Sequence, residues 1–487
     1  MTTNSMASCT EKFCDAAAQL LGLKGFTRDF DAMQPWLTDW RSRYSGRAIA
    51  LASPASTQEV SDLVKLCAKH GVPIVPQGGN SGMCGGATPD DSGKTIVLSL
   101  RRMNAIHEID TSAGQVMCEA GVILQNLHEA VEPADMRFPL TLGGKGSATI
   151  GGLISTNAGG TQVLRYGTMR AQVLGLEAVL ADGEIFSALT PLKKDNRGFD
   201  LKQLLIGSEG TLGIVTAAIL RLLPAVTASA TAWIGVSGIA EARSLLRHIE
   251  REMGDALEGF EVIPDHCLDN VLAHLPDTRA PLTGRHNWNA LIECTSSSGD
   301  DTQLYEALEA ALASAMEAGL LEDAAIAANE TQADAMWHLR DSISEAERAL
   351  GPAMQHDVSV PVERMPEFIL AAIPEIEAAF AGTRGVAFGH LGDGNVHFHI
   401  IAPKDAVPGL WEESEGKQVS AQVHDLVTQW GGSISAEHGI GQMKVAELGR
   451  LGDPVSLSIM RAVKQALDPN GLLNPGKLIP EPLQSAP

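Results

Sequence analysis

The 487 residues are enough for two or three domains, and 44% hydrophobic and 20% charged residues are an ordinary globular composition. The 36 basic and 59 acidic residues leave a net charge of −23. This balance argues against nucleic acid and against an anionic membrane surface as partners, because both require clustered Lys and Arg.

The N-terminal residues and the cysteines bear on the compartment. Residues 1–26 lack a charged segment followed by an apolar run, and no uninterrupted apolar run approaches the roughly 18 residues of a membrane span. No cysteines form a CxxC pair and their number is odd, which favours a reduced compartment and predicts a cytoplasmic protein. They are Cys9, Cys14, Cys67, Cys84, Cys118, Cys267 and Cys294.

The first half of the chain mixes helices and strands without regular β-α-β alternation, which favours an α+β fold over a doubly wound parallel sheet. Helical periodicity and helix-ending glycines predict helices over residues 12–22, 56–70 and 122–131. Short apolar segments predict strands over residues 48–52, 73–76, 95–100, 105–109, 115–119 and 214–223. Residues 173–180 and 184–187 predict a hairpin that turns at Asp182-Gly183.

The pattern changes after Pro224 to one typical of an antiparallel sheet backed by helices. The predicted strands are residues 230–236, 257–263, 289–294 and 325–328, and the predicted helices are residues 240–253, 304–318 and 332–349. From residue 426 the pattern is mainly helical. We therefore predict three domains, over residues 1–223, 224–425 and 426–487.

Three glycine-rich clusters, at residues 76–86, 151–160 and 207–213, predict one extended cofactor site. Successive glycines let backbone N–H groups converge on a phosphate, and small polar residues let a flat ring lie against the backbone. Two familiar phosphate motifs are excluded. Thr88 stands where a Walker motif ending at Gly93-Lys94-Thr95 requires glycine, and no Rossmann GxGxxG opens a helix after a strand.

A metal site is indicated by histidines near the C-terminal end. His390 and His397 flank a glycine-rich turn between two predicted strands, and His397 and His399 share a strand face by their spacing of two. With the carboxylate of Glu437 they form a ligand set suited to Zn²⁺ or Mn²⁺. His438 is then either a general base or a further ligand.

Isolated histidines carry less information. For His356 and His424 we expect hydrogen-bonded core residues.

Five segments carry a family resemblance: PQGGNSGMCGGA, GGLISTNAGGTQVLRYG, DLKQLLIGSEGTLGIVT, GHLGDGNVH and SAEHGIG. Over residues 40–480 the chain resembles FAD-linked oxidases of the vanillyl-alcohol-oxidase type, and among them most of all D-2-hydroxyglutarate and D-lactate dehydrogenases. The resemblance implies an FAD-binding domain over residues 1–223, a substrate and metal-binding domain over residues 224–425 and a helical C-terminal segment. It also implies His390, His397 and Glu437 as metal ligands.

The resemblance places the FAD pyrophosphate on residues 78–82, and the isoalloxazine and ribityl groups along residues 143–160 and 207–214. Some relatives attach FAD covalently through a His in the first loop. Asn80 occupies that place here, so non-covalent FAD is implied. The implied FAD-binding residues are Pro76, Gly78, Gly79, Asn80, Ser81, Gly82, Gly85, Gly143, Ser147, Gly151, Gly152, Ser155, Thr156, Asn157, Gly159, Gly160, Gly207, Glu209, Gly210, Gly213, Ile214 and Asn474.

A substrate carboxylate requires a cation, and the segment WHLRDSIS resembles the family segment whose Arg binds substrate. Its spacing predicts Arg340 and Ser344 on one helix face; the alternative is a surface salt bridge from Arg340 to Asp341 or Glu345. Gln355 stands where D-2-hydroxyglutarate dehydrogenases carry Lys, and His399 where a relative has Asn. A second carboxylate of the substrate therefore meets one positive charge fewer here than in the relatives that carry the Lys.

Together these features predict FAD-dependent oxidation of a D-2-hydroxy acid, with D-2-hydroxyglutarate as the first choice and D-lactate, D-malate or glycolate as alternatives. We expect the metal to bind the substrate, His438 to accept the hydroxyl proton and a hydride to pass to the flavin. No heme or Fe–S pattern is found, so the electrons pass to an external acceptor such as electron-transfer flavoprotein or a quinone.

Two rival functions stay open. One is a metal-dependent hydrolase whose glycine loops bind a substrate phosphate, and the other is a non-catalytic protein that binds a nucleotide or a hydroxy acid. The oligomeric state is also open, with a homodimer among the alternatives.

Overall fold

The computed structural model describes residues 3–482, with side chains from Thr10 onward, and the chain divides into two compact units. The first unit contains the described residues of Met1–Gly160, Gly167–Pro224 and Glu437–Pro487; the second contains Thr161–Tyr166 and Ala225–Ala436. The first predicted boundary, 223/224, lies one residue before the boundary at 224/225 in the structure. The second predicted boundary, 425/426, lies 11 residues before the one at 436/437. The C-terminal stretch belongs in space to the first unit.

The helices and strands follow one another irregularly. The helices are α1 (Thr3–Gly25), α2 (Phe30–Leu37), α3 (Thr57–His70), α4 (Leu124–Val131), α5 (Ile150–Thr156), α6 (Val163–Tyr166), α7 (Met169–Gln172), α8 (Lys202–Leu205), α9 (Ile239–Met253), α10 (Asp265–His274), α11 (Asp301–Glu317), α12 (Glu330–Asp341), α13 (Ile343–Arg348), α14 (Met365–Ala379), α15 (Leu410–Glu413), α16 (Glu415–Gln429), α17 (Val445–Leu451) and α18 (Pro454–Leu467). Short 3-10 helices span Glu132–Ala134, Gly254–Ala256 and Val362–Arg364.

The strands are β1 (Phe26–Thr27), β2 (Ala48–Ala52), β3 (Ile74–Gln77), β4 (Thr95–Ser99), β5 (Ile106–Asp110), β6 (Gln115–Glu119), β7 (Met136–Arg137), β8 (Val173–Val179), β9 (Ile185–Ala188), β10 (Ile214–Arg221), β11 (Leu223–Pro224), β12 (Ala228–Val236), β13 (Leu257–Pro264), β14 (Trp288–Ser296), β15 (Asp323–Ile326), β16 (Ala353–Ser359), β17 (Arg384–His390) and β18 (Asn395–Ile401). Among residues 3–482, no helix combines the length and the apolar character that crossing a membrane requires.

The first unit contains two larger sheets. One has the order β1-β2-β4-β3, in which β4 pairs parallel with β2 and β3; the other is antiparallel with the order β5-β6-β10-β8-β9. Helix α3 buries Val60, Leu63 and Val64 on the apolar face that its spacing predicted. The β8–β9 hairpin is confirmed, and Gly183 at φ +83° supplies the left-handed backbone that its turn requires.

The second unit is built on a seven-stranded sheet of order β15-β12-β14-β13-β17-β18-β16, in which neighbouring strands are antiparallel. Helices α9, α11, α14 and α16 pack on one face, in the core that contains Phe260 and Phe398. Helices α10, α12 and α13 pack on the other face, in a smaller core around Phe388. The predicted α+β fold with an antiparallel sheet backed by helices is confirmed.

The prediction of one helix over residues 332–349 is wrong. Helix α12 ends at Asp341 and α13 begins at Ile343. Between them the Ser342 hydroxyl donates to the carbonyl of His338 at 2.7 Å, a bond that competes with regular helix geometry. Arg340 and Ser344 therefore lie on two consecutive helices rather than on one helix face.

Candidate functional site

The three glycine clusters, the second of them extended to residue 143, define loop 1 (residues 76–86), loop 2 (residues 143–160) and loop 3 (residues 207–213), all in the first unit. Loops 1 and 2 are in backbone contact. A Cβ added to Gly79 would lie 1.7 Å from the carbonyl oxygen of Ser147, and one added to Gly78 would lie 2.3 Å from Thr149 Oγ1. These glycines are therefore required by packing between the loops.

Other glycines of the predicted FAD site also stand against neighbouring atoms. An added Cβ would meet another atom at less than 3.0 Å at Gly85, Gly151, Gly160, Gly210 and Gly213. Gly210, for example, packs against the ring of Pro76 at the end of β3. Much of the glycine content of the three loops thus lets segments of the first unit approach one another closely.

Part of loop 2 is helical, which the sequence did not predict. Helix α5 ends at Asn157 in the left-handed conformation, with φ +50°. The Thr156 hydroxyl donates to the carbonyl of Gly152 at 3.0 Å, and Asn157 Oδ1 accepts the N–H of Arg170 at 3.0 Å. These two polar side chains thus make hydrogen bonds to the backbone of their own unit.

Loop 3 is tied to loop 1 and to the C-terminal stretch by two buried side chains. The Glu209 carboxylate accepts the N–H groups of Ile440 and Gly441 at 2.7 and 2.8 Å. Asn474 Nδ2 donates to the carbonyls of Gly86 and Glu209 at 2.9 and 2.7 Å. Burial raises the pKa of Glu209, against the two backbone hydrogen bonds that lower it.

Around these ties the loops leave room for a ligand. A Cβ added to Gly82, Gly143 or Gly146 would meet nothing within 4 Å. Thr149 Oγ1, in loop 2, is buried without a hydrogen-bond partner. Within these loops, open glycine backbone and an unsatisfied buried oxygen both fit a nucleotide cofactor, whose phosphates bind backbone N–H groups.

Asn80 lies in loop 1 at φ +52°, and its Nδ2 donates to the carbonyl of Thr38 at 2.8 Å. An amide has no nucleophilic atom suited to attaching a flavin, so this residue fits a non-covalent cofactor.

In the second unit, a row of polar side chains lies on the sheet face that α10, α12 and α13 cover. Strand pairing sets Glu261 opposite His390, His397 opposite Asp357, and His399 opposite Gln355. His397 and His399 share this face, as predicted. Phe398, the one residue between them, turns to the opposite face, because side chains alternate along a strand.

His390 and His397 come together as predicted from the turn between β17 and β18. Their ring centroids are 5.5 Å apart, and a nitrogen of one ring lies within 4.8 Å of a nitrogen of the other. Asp393 closes the turn by accepting the N–H of Asn395 at 3.0 Å. Burial lowers the pKa of His397 well below its usual value, with the nearby Arg340 and His390 charges acting in the same direction.

The last residue of the second unit is held close to this pair. Ala436, the last residue of the second unit, donates its N–H to the carbonyl of Asp357 at 3.3 Å. Asp357 is in turn the strand partner of His397. The second unit therefore ends beside the strand partner of His397, and Glu437 and His438 are the next two residues of the chain.

Arg340 binds a buried carboxylate that the sequence reasoning missed. Its Nε and Nη2 donate to Glu261 Oε2 at 2.9 and 2.8 Å, while Glu261 Oε1 lies 2.5 Å from His390 Nδ1. Burial raises the pKa of Glu261, but the charges and hydrogen bonds of Arg340 and His390 outweigh it and hold this pKa well below its usual range. The only available signal was an acidic residue inside the apolar segment FEVI.

Of the alternative, a surface salt bridge from Arg340 to Asp341 or Glu345, the structure has a long contact with Asp341, but the shorter ion pair of Arg340 is with a buried residue. The Arg340 side chain is only 12% exposed, and Asp341 approaches it no closer than 3.9 Å, compared with 2.8 Å for the buried Glu261.

His399 also has a buried acidic partner that was missed. Its Nδ1 lies 2.5 Å from Glu347 Oε2, and Glu347 belongs to α13, the helix that also carries Ser344. Gln355 is the strand neighbour of His399. The structure thus groups Gln355 with His399, and Arg340 with His390.

His356 is the core residue that was predicted. Its two ring nitrogens are hydrogen-bonded to the carbonyl of Phe398 and the hydroxyl of Ser420, both at 2.9 Å.

Comparisons with known proteins agree with this picture. Residues 226–478 match the family described as FAD linked oxidases, C-terminal domain, and residues 48–188 match an FAD binding domain. The chain is 38% identical to a mitochondrial D-2-hydroxyglutarate dehydrogenase of Arabidopsis thaliana, over 96% of this chain and 81% of the relative. It is 36% identical to a mitochondrial D-2-hydroxyglutarate dehydrogenase of Bos taurus, over 93% of this chain and 80% of the relative.

A solved structure of p-cresol methylhydroxylase with bound substrate superimposes with a TM-score of 0.75, covering 99% of this chain and 98% of that one. At 17% identity this likeness establishes the fold alone.

The expected cytoplasmic location is wrong by these comparisons, because the Arabidopsis thaliana and Bos taurus relatives are both named as mitochondrial proteins. The cysteine pattern that suggested it reports a reducing environment, and more than one compartment is reducing.

Proposed function

The chain belongs to the family of FAD-linked oxidases, and from that premise we propose that it oxidises a D-2-hydroxy acid to the 2-oxo acid, with D-2-hydroxyglutarate as the first candidate substrate. The observation that carries the proposal is the cluster of Arg340, from helix α12, with His390 and His397 on the sheet face that this helix covers, because an arginine beside two histidines suits a carboxylate and a metal. The names of the relatives supply the candidate substrate.

We place FAD in the three glycine loops of the first unit, where Gly82 and Gly143 border open space. Bound FAD supplies the acceptor for the two electrons of the oxidation. The chain's own part is to hold the cofactor through backbone N–H groups, and the FAD-binding residues named from the sequence are the proposed contacts. Glu209 and Asn474 support these contacts by fixing the loops.

We assign His390, His397 and Glu437 to a divalent metal, Zn²⁺ or Mn²⁺. A metal there supplies a Lewis acid for the substrate's carboxylate and hydroxyl groups. The low pKa of His397 keeps its ring neutral near pH 7, as a metal ligand must be. His438 follows Glu437 directly and is assigned as the general base that takes the hydroxyl proton.

The substrate's carboxylates are assigned to two places. Arg340 donates to Glu261 through Nε and Nη2, and its Nη1 lies 3.9 Å from Asp341 Oδ1; we assign this outer edge of the guanidinium to the carboxylate beside the 2-hydroxyl. Gln355 and His399 lie side by side and would hydrogen-bond the far end of the molecule. We propose electron-transfer flavoprotein or a quinone as the acceptor that reoxidises the cofactor.

The test is the visible spectrum of the purified protein, followed by anaerobic mixing with D-2-hydroxyglutarate, D-malate, D-lactate and glycolate, and with the L-enantiomers of the chiral acids. We expect flavin bands that D-2-hydroxyglutarate bleaches fastest and its L-enantiomer leaves intact. A colourless protein favours the hydrolase instead, and a yellow protein that none of the acids bleaches contradicts the proposed substrate class. If D-lactate bleaches the flavin faster than D-2-hydroxyglutarate does, the candidate substrate becomes a monoacid instead of the diacid.

A further inference from the structure

Glu261 is a charged residue in the middle of the apolar strand β13. Its side chain is 1% exposed, and its neighbours Phe260 and Val262 are core residues. An ionised carboxylate is strongly unfavourable in such a place unless partners satisfy its oxygens. Each oxygen of Glu261 lies within 3 Å of a nitrogen from a different side chain of the proposed site.

Each partner binds its own oxygen. His390 Nδ1 lies 2.5 Å from Oε1, and Arg340 reaches Oε2 through Nε at 2.9 Å and Nη2 at 2.8 Å. His390 is also the strand partner of Glu261, and Arg340 Nη2 lies 3.4 Å from His390 Nε2. The three side chains therefore form one cluster whose central member is the carboxylate.

We propose that Glu261 is the positioning residue that orients His390 for the metal and Arg340 for the substrate carboxylate; the inference rests on the metal site under Proposed function. By holding Nδ1–H of His390, the carboxylate leaves Nε2 as the ligand atom and fixes the plane of the ring. By holding one edge of the guanidinium, it fixes the direction in which Arg340 presents its other nitrogen.

Glu261→Gln tests this role with little change of shape. Donors from two side chains, His390 and Arg340, face Glu261, but glutamine offers a single acceptor oxygen and turns an NH₂ group towards one of the two side chains. Zn²⁺ affinity is measured by competition with a chromophoric chelator, and the KM of the hydroxy acid by steady-state kinetics. We expect Zn²⁺ affinity to fall about 10- to 100-fold, as is typical for loss of such a partner, and KM to rise.

Glu258→Gln is the matched control. Glu258 lies on the same strand, its side chain is 2% exposed, and it too pairs with an arginine, Arg165, at 3.3 Å. Its other partners include Gln162 at 2.7 Å and Thr295 at 2.5 Å. We expect E258Q to lower thermal stability as E261Q does, while its Zn²⁺ affinity and KM stay those of the unsubstituted protein.

The outcomes separate the inference from the proposal beneath it. If the unsubstituted protein binds no Zn²⁺, the metal site fails and the role of Glu261 falls with it. If the unsubstituted protein binds Zn²⁺ and E261Q has the same Zn²⁺ affinity or the same KM, the role of Glu261 is overturned while the metal site stands. If E261Q does not fold, E261D takes its place in the test. Aspartate keeps the charge but is one methylene shorter, so we expect E261D to lower Zn²⁺ affinity as well, and unchanged affinity would overturn the role of Glu261.

Discussion

At the scale of single residues, the second unit buries several carboxylates within its antiparallel sheet and helices, and each of them has a partner that can carry a positive charge. Glu261 is matched by Arg340, Glu258 by Arg165, and Glu347 by His399. The histidines of the site were predictable because a glycine-rich turn and a spacing of two are local signals. Glu261 and Glu347 were not, because their partners lie far away in sequence and become neighbours only through strand pairing and helix packing.

Glu437→Ala is expected to remove the metal and turnover while FAD stays bound, because the proposed cofactor residues lie in other loops. Metal content and the flavin spectrum of the same preparation measure the two effects separately. Loss of FAD together with the metal would contradict separate binding sites.

Gln355→Lys tests the place assigned to the far end of the substrate. A lysine beside His399 adds the charge that a second carboxylate lacks here, so we expect the KM of D-2-hydroxyglutarate to fall by about tenfold, for roughly 1.4 kcal/mol. D-lactate has no second carboxylate, so its KM serves as the internal control. Equal changes in the KM of both acids would show that residue 355 does not act on the second carboxylate.

At the scale of elements, strands were predicted better than the glycine-rich segments. The alternation in β17 and β18 is read directly from the chain, and both strands form as predicted. Helix α5 was missed because Gly151 and Gly152 disfavour a helix intrinsically, and packing of Gly151 against Ala120 compensates. The break between α12 and α13 was missed because one serine is a weak signal against a long apolar periodicity.

Two glycines of loop 1 have different roles, and Gly→Ala at each separates them. G79A forces a Cβ towards the Ser147 carbonyl, so we expect lower thermal stability even without cofactor. At Gly82 the added Cβ meets nothing within 4 Å, so G82A should leave stability without cofactor unchanged and weaken FAD binding. Thermal unfolding with and without FAD measures both; if G82A binds FAD normally, the cofactor does not lie against Gly82.

At the scale of the whole molecule, chain order and spatial order differ at the C-terminal end. The segment after residue 436 returns to the first unit, where Asn474 joins loops 1 and 3 and Lys464 donates to the carbonyls of Thr211 and Leu473 at 2.7 and 2.9 Å. A change of pattern was visible at residue 426, but not this return, because local periodicity does not specify which unit a helix packs against.

Asn474→Ala is expected to perturb the first unit alone. It leaves two buried carbonyls without their donor, a loss of about 1–3 kcal/mol in the free energy of unfolding, and FAD affinity should fall with it. Zn²⁺ affinity should fall less than FAD affinity, because two of the three proposed ligands, His390 and His397, belong to the second unit and only Glu437 belongs to the first. A parallel loss of metal would show that the two units do not respond independently.

The most direct test of FAD-dependent oxidation assisted by a metal is anaerobic reduction of the flavin by D-2-hydroxyglutarate, monitored by flavin absorbance. The reaction is measured before the metal is chelated, after chelation, and after Zn²⁺ or Mn²⁺ is restored. We predict rapid bleaching, its loss on chelation while the flavin stays bound, and its return with the metal. Undiminished bleaching of the metal-free protein would contradict a role for the metal, and no bleaching in any state would contradict the proposed reaction.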